Sequence, residues 1–135
     1  MKGSGCMEFV KRNSELGKIT QGDIVQVYLS AKNSSGKCVQ EGTRPMVVIS
    51  NNVCNSVSPV ITALPCTSSI VKINKNMPTH VIIDELEGTG LTKRSVVMAE
   101  QITSIDKRDI VAFLGTIPKK YLNPIKKAAM VQLAL

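Results

Sequence analysis

The feature that most constrains this chain is the run from Gly42 to Asn55, GTRPMVVISNNVCN. Met46-Val47-Val48-Ile49 is a short apolar block, mostly β-branched and bounded by turn formers, which is the pattern of a strand buried on both faces. Pro45 cannot donate a ladder hydrogen bond, so it is expected at the strand's first residue, with Arg44 just outside at the rim. At the other end, Ser50-Asn51-Asn52 supplies short polar side chains to a turn. Two readings of the segment stand side by side. In one, Arg44 merely ends a strand beside a polar turn; in the other, a fixed cation and uncharged hydrogen-bonding groups on a rigid strand suit phosphate and base contacts.

Composition narrows the choice. A chain of 135 residues with 43% hydrophobic and 20% charged residues should form one globular domain with one adequate core. Its net charge of +7 favours a polyanionic partner through steering and counterion release. Aromatics make up only 3% of the chain (Phe9, Tyr28, Phe113 and Tyr121), too few for the stacking platforms of most single-strand-binding modules. Any nucleic acid would have to be held mainly by charge and hydrogen bonds. Cys6, Cys38, Cys54 and Cys66 show no C-x-x-C spacing, and the single His80 cannot complete a Cys/His zinc cluster, so neither metal nor cofactor is expected. With no apolar run of membrane-spanning length and no secretory leader, a reduced, cytoplasmic protein without membrane contact is the simplest expectation.

Along the chain, residues 1–17 read as an N-terminal appendage, disordered or partly foreign to the fold, and residues 18–135 as the domain proper. A Gly22-Asp23 turn precedes a first strand through Leu29. Ser30 to Thr43 is a long polar loop ending directly on Arg44, a candidate flap over it. Asn55 to Pro59 reads as a turn, Val60 to Leu64 as a strand, and Lys72 to Lys75 as a basic connector. Strands at Val81–Ile83 and Ser95–Met98 flank a hairpin signal containing Gly88 and Gly90. Asp106 to Leu114 has the look of a short helix stopped by Gly115. Leu122, Ile125, Ala129 and Leu133 form one apolar face of a C-terminal helix, with Asn123 as its cap and Pro124 at its first position. The expected class is mainly β: a small closed or nearly closed SH3-like barrel with a short helix and a C-terminal helix.

Gly22-Asp23, Arg44-Pro45 with Asn51, Pro78-Thr79-His80-Val81, and Glu100-Gln101-Ile102 before Asp106-Lys107 occur in the order and spacing of the MazF/PemK family of toxin endoribonucleases. The resemblance extends from about Lys18 to Leu135. It implies an SH3-like barrel, a homodimer, and a cognate antitoxin whose disordered acidic tail occupies the RNA groove. It further implies metal-independent, sequence-specific cleavage of single-stranded RNA to 2′,3′-cyclic phosphate and 5′-hydroxyl ends. Arg44 and Thr67 match the family's catalytic arginine and threonine, Asn51 and Gln101 match groove positions, and Asn55 and Ser68 are secondary candidates for RNA contact. The loop before Arg44 and the segment 65–75 are longer than usual in the family.

The chemistry fits these residue types. An arginine offers five donors in a fixed fork for the non-bridging oxygens of a phosphate, and a threonine hydroxyl offers another. His80, following Pro-Thr at a strand start, reads as structural, Cys66 as a small apolar filler, and Glu100 as a partner of Arg44, a loop anchor or a satisfied strand-end acid. A different class of function, a non-enzymatic DNA gyrase poison of the CcdB type on the same barrel, is the rival. It has no need of a phosphate-directed Arg and Thr pair.

Overall fold

Apolar residues at consecutive positions, rather than alternate ones, place the central strands between two covered faces. A computed structural model of the protein describes residues 18–29, 42–69 and 76–135. Its elements are β1 (Asp23–Leu29), β2 (Gly42–Val48), α1 (Asn52–Val57), β3 (Val60–Thr67), β4 (His80–Ile83), β5 (Ser95–Met98), β6 (Thr103–Asp106), β7 (Ile110–Thr116) and α2 (Lys119–Leu133). Ile24, Val47 and Leu64 belong to one buried cluster, with Ile117, Tyr121 and Ile125 on its far side. Their neighbours Val25, Met46, Val48 and Ala63 belong to a second, with Ile61, Ile105 and Ile110. The double burial expected of the strand after Arg44 is therefore observed.

The ladder runs β4-β5-β3-β2-β1-β7, with β6 pairing β3 off this path. Among the described residues the strand pairings are all antiparallel. The mainly-β class with a C-terminal helix is as expected. Among the described residues the ladder is not closed, for β4 and β7 are its ends.

β3 divides one of its edges between two partners. Val60–Ala63 pair with β6, and Cys66–Thr67 pair with β5. Leu64 and Pro65 lie in the gap, opposite a 3-10 turn at Ala99–Gln101 that absorbs the extra residues between β5 and β6. Pro65, with no N–H to donate, sits where that edge has no ladder to satisfy.

Four local expectations are corrected. β2 begins at Gly42, so Arg44 and Pro45 lie inside it, opposite Val27 and Gln26 of β1. The Asn-Ser segment after β2 is helical because Asn51 caps it: its Oδ1 accepts from the Cys54 N–H at 2.8 Å. Ile110–Leu114 is β7 rather than helix; five apolar residues in a row fit either, and pairing with β1 decides it. The terminal helix starts at Lys119 after Pro118, leaving Pro124 inside it. Its buried face is Tyr121, Ile125, Ala128 and Ala129, whereas Leu133 is exposed. The Tyr121 hydroxyl accepts from the backbone N–H groups of Asp84 and Glu85 at 3.1 and 3.0 Å, fixing the helix start against the end of β4.

The appendage at 1–17, the loop at 30–41 and the basic connector at 70–75 lie outside the described residues. No helix among the described residues is long and apolar enough to cross a membrane.

Candidate active site

Antiparallel register builds the site. Met46 faces Pro65 and Val48 faces Ala63 across the β2–β3 ladder. Continued two residues further, the same register sets Arg44 across from Thr67, and residues directly opposite in such a ladder share a face. Both side chains line one cleft of about 250 Å³. One wall is Thr43–Pro45 from the start of β2 and Cys66–Ser68 from the end of β3; the other is Leu91–Lys93 and Ser95, leading into β5. On its other edge Thr67 pairs with Val96 of β5.

Arg44 is half-buried, and among the described residues no carboxylate lies within ion-pair distance of it. Its positive charge is therefore directed at whatever enters the cleft. Thr67 Oγ1 accepts from the Ser69 N–H at 3.2 Å, which leaves the hydroxyl proton to donate. Ser68 is exposed at the cleft mouth. Cys66 lies behind them, and burial pushes its thiol up to about 12, so it is neutral near pH 7 and no nucleophile.

The remaining expected contacts divide. Asn51 and Gln101 are exposed on turns outside the lining of this cleft. Asn55 is fully buried and committed internally: its Oδ1 accepts from the Ser50 hydroxyl and its Nδ2 donates to the Ser50 carbonyl at 2.8 Å. Its backbone carbonyl accepts from Lys107 Nζ. That side chain is an internal strut for the β2–α1 corner, and the expectation of an RNA contact from it is not supported.

Glu100 does not pair with Arg44. Its Oε1 accepts from the Thr79 hydroxyl at 2.8 Å and its Oε2 lies 2.9 Å from His80 Nε2. Partial burial acts to raise the Glu100 carboxyl, but hydrogen bonds from His80 and Thr79 outweigh it and hold the group below its ordinary value. The His80 side chain is only 8% exposed. These three residues act as a clasp between the start of β4 and the 3-10 turn that carries Gln101.

Lys93 and Ser95 were not singled out by their sequence context. Each comes from the segment opposite Arg44 in space but some fifty residues away in sequence, so only the β3–β5 pairing brings them there. The one signal available was the Thr92-Lys93-Arg94 polar cluster directly before an apolar strand.

In a basic, mainly-β chain, an arginine with no described carboxylate beside it and a threonine hydroxyl on neighbouring strands make a cleft suited to an anion. Comparison with known proteins gives the class its family: residues 20–133 match the PemK-like, MazF-like toxins of type II toxin-antitoxin systems, and the chain belongs to that family. It is 33% identical over 96 residues to Endoribonuclease EndoA of Bacillus subtilis, covering 71% of this chain and 80% of that one. Its fold is similar to that of MazF from Deinococcus radiodurans, at 24% identity and TM-score 0.67 over 87% of this chain and 97% of the other. It is also similar to a MazE-MazF structure from the same organism, at 25% identity and TM-score 0.66 over the same shares.

Proposed function

We propose that this protein is the toxin of a type II toxin–antitoxin pair, an endoribonuclease that cuts single-stranded RNA at a short sequence motif. In this reading no metal takes part, and the products carry 2′,3′-cyclic phosphate and 5′-hydroxyl ends. The observation that carries it is that Arg44 and Thr67, on neighbouring strands, line one cleft with no described carboxylate neutralising the arginine. The family match and the name of the Bacillus subtilis relative, an endoribonuclease, support it.

In the reaction the 2′-hydroxyl gives its proton to solvent as its oxygen attacks phosphorus, the O2′–P bond forms, the bond from phosphorus to the 5′-oxygen breaks, and that oxygen takes up a proton from solvent to leave as a hydroxyl. Charge builds up on the two non-bridging oxygens. Arg44 meets it with paired guanidinium donors, and Thr67 with its hydroxyl proton; both are fixed before substrate arrives, which is what makes such donors effective. Ser68 at the mouth, and Asn51 and Gln101 on their turns, are assigned to holding the flanking nucleotides. An antitoxin with an acidic, disordered tail would occupy the same positive cleft; that a MazE-MazF structure from Deinococcus radiodurans exists supports a protein partner for this fold. A homodimer would align two such clefts for one extended RNA strand.

The test is incubation of purified protein with a long unstructured RNA in excess EDTA, mapping every new end. Discrete cuts with 5′-hydroxyl ends are expected from the native chain and none from Arg44→Ala. Arg44→Lys keeps the charge but loses the planar fork, and a loss of about a hundredfold or more is expected if paired donation matters. Absence of cleavage at high enzyme concentration, with inhibition of gyrase supercoiling, would instead place the chain with the poisons.

A further inference from the structure

The wall opposite Arg44 is built with care for a loop. Between β4 and β5, Thr89 is fully buried, its hydroxyl donating to the Leu86 carbonyl at 2.6 Å and accepting from the Leu91 N–H at 3.0 Å. The Gly88 carbonyl accepts from the Thr116 N–H of β7 at 2.9 Å. Gly90 has φ +77°, and a Cβ there would come within 2.3 Å of the Leu114 carbonyl oxygen, so the loop lies directly on β7 where only glycine fits. Arg94 and Asp84 close its base at 2.6 Å, and the Ser95 hydroxyl donates to the Lys93 carbonyl at 2.8 Å. This strapping delivers Lys93 to the cleft lining, and among the described residues no carboxylate is within ion-pair distance of its ammonium group.

Arg44 and Lys93 both line this cleft, and two cations in one narrow cleft repel one another unless an anion lies between them. The ion pairs among the described residues, Asp84 with Arg94, Glu85 with Lys120, Asp106 with Arg108, and Glu100 with His80, involve neither Arg44 nor Lys93. The cleft is also smaller than the roughly 300–1,000 Å³ of ordinary small-molecule pockets, a size that suits a phosphodiester with its sugar.

We propose that Lys93 is the second phosphate-binding cation of this site, gripping the phosphodiester from the β4–β5 loop while Arg44 grips it from β2. The assignment rests on the RNA-cleaving reading above and adds to it a residue and a geometry: one phosphate held between two elements far apart in sequence. Lys93 contributes a mobile point charge and Arg44 a fixed fork, so the lysine follows the phosphate as its oxygens take up charge while the arginine sets its orientation.

The experiment uses the full-length chain and an RNA oligonucleotide carrying the cut site, together with the same oligonucleotide 2′-deoxy at the attacking position so that it binds without being cut. Affinity for the deoxy strand is measured against salt for native protein, Lys93→Gln, Lys93→Arg, and Lys127→Gln on the exposed side of α2 as a control for general surface charge. Loss of one phosphate contact makes the log–log salt slope shallower by about 0.7. That change is expected in Lys93→Gln alone, with a fall in kcat/KM on the cleavable strand of at least tenfold and recovery in Lys93→Arg. An unchanged slope in Lys93→Gln, or an equal change in Lys127→Gln, overturns the assignment even if cleavage persists. Should the native chain bind the strand yet cut nothing, the cleavage reading fails, while the salt slope still decides whether Lys93 holds a phosphate. Because Lys93 accepts the Ser95 hydroxyl through its backbone carbonyl, unchanged thermal melting of Lys93→Gln is expected and separates a lost contact from a lost fold.

Discussion

At position 100 a single carboxylate ties two elements together. Glu100 reaches both Thr79 and His80, and those hydrogen bonds hold its carboxyl below the ordinary value against the opposing effect of partial burial. A depressed folded-state value means that the clasp contributes stability above the ordinary glutamate range, near pH 4.3, and loses it as pH falls through the lower folded-state value. Thermal melting followed from pH 7 to pH 3 should therefore decline more steeply for the native chain than for Glu100→Gln, whose amide does not titrate; parallel curves would remove the clasp from the account. The contrast with Arg44 is instructive. Arg44 was legible in the sequence because Arg-Pro before an apolar block is a local pattern, and Thr67 followed by resemblance. The partner of Glu100 was not legible, since three assignments were open and only the approach of β4 to the 3-10 turn selects among them. Asn55 failed for a related reason: an asparagine in a polar run looks like a surface group, and its complete burial depends on Ser50 and Lys107 folding over it.

Among the elements, the strands were read well where composition alone separates strand from helix. β1, β2, β4 and β5 are blocks of valine and isoleucine, and the structure has them within a few residues of their expected limits. β7 was misread because Ile110–Leu114 carries no period that distinguishes the two states; its neighbour β1 settles it. The terminal helix begins at Lys119, ahead of the Pro124 that marks a helix start in the sequence. In the fold Pro124 lies one and a half turns inside, where it can give no hydrogen bond to the Lys120 carbonyl, and the helix persists because Tyr121 and Ile125 are anchored in the core. A tolerated but costly proline makes a prediction: Pro124→Ala, at an exposed position, should stabilise the chain by about 1–3 kcal/mol in denaturant titration, with cleavage unchanged. A loss of stability would show that the proline shapes the helix in a way that the packing requires.

Among the described residues of the whole molecule, the sheet ends in β7, an edge strand with Val111 and Phe113 about half exposed at 49% and 52%, and α2 ends on exposed Met130, Val131 and Leu133. Apolar surface on an unpaired edge and a helix end is a liability in a monomer. The proposed homodimer would cover part of it, so sedimentation at micromolar concentration should give twice the chain mass, and monomer alone would remove that proposal. β3 has a different consequence at this scale. It is sandwiched between β2, made before it, and β5 and β6, made about thirty to forty residues later. Thr67 is thus unsupported, and the wall bearing Lys93 does not exist, while only the first half of the chain has left the ribosome. Loop closures of this length form late and together rather than piecemeal. A partly made chain therefore carries no complete cleft: both walls exist only once the strands through β5 have been made.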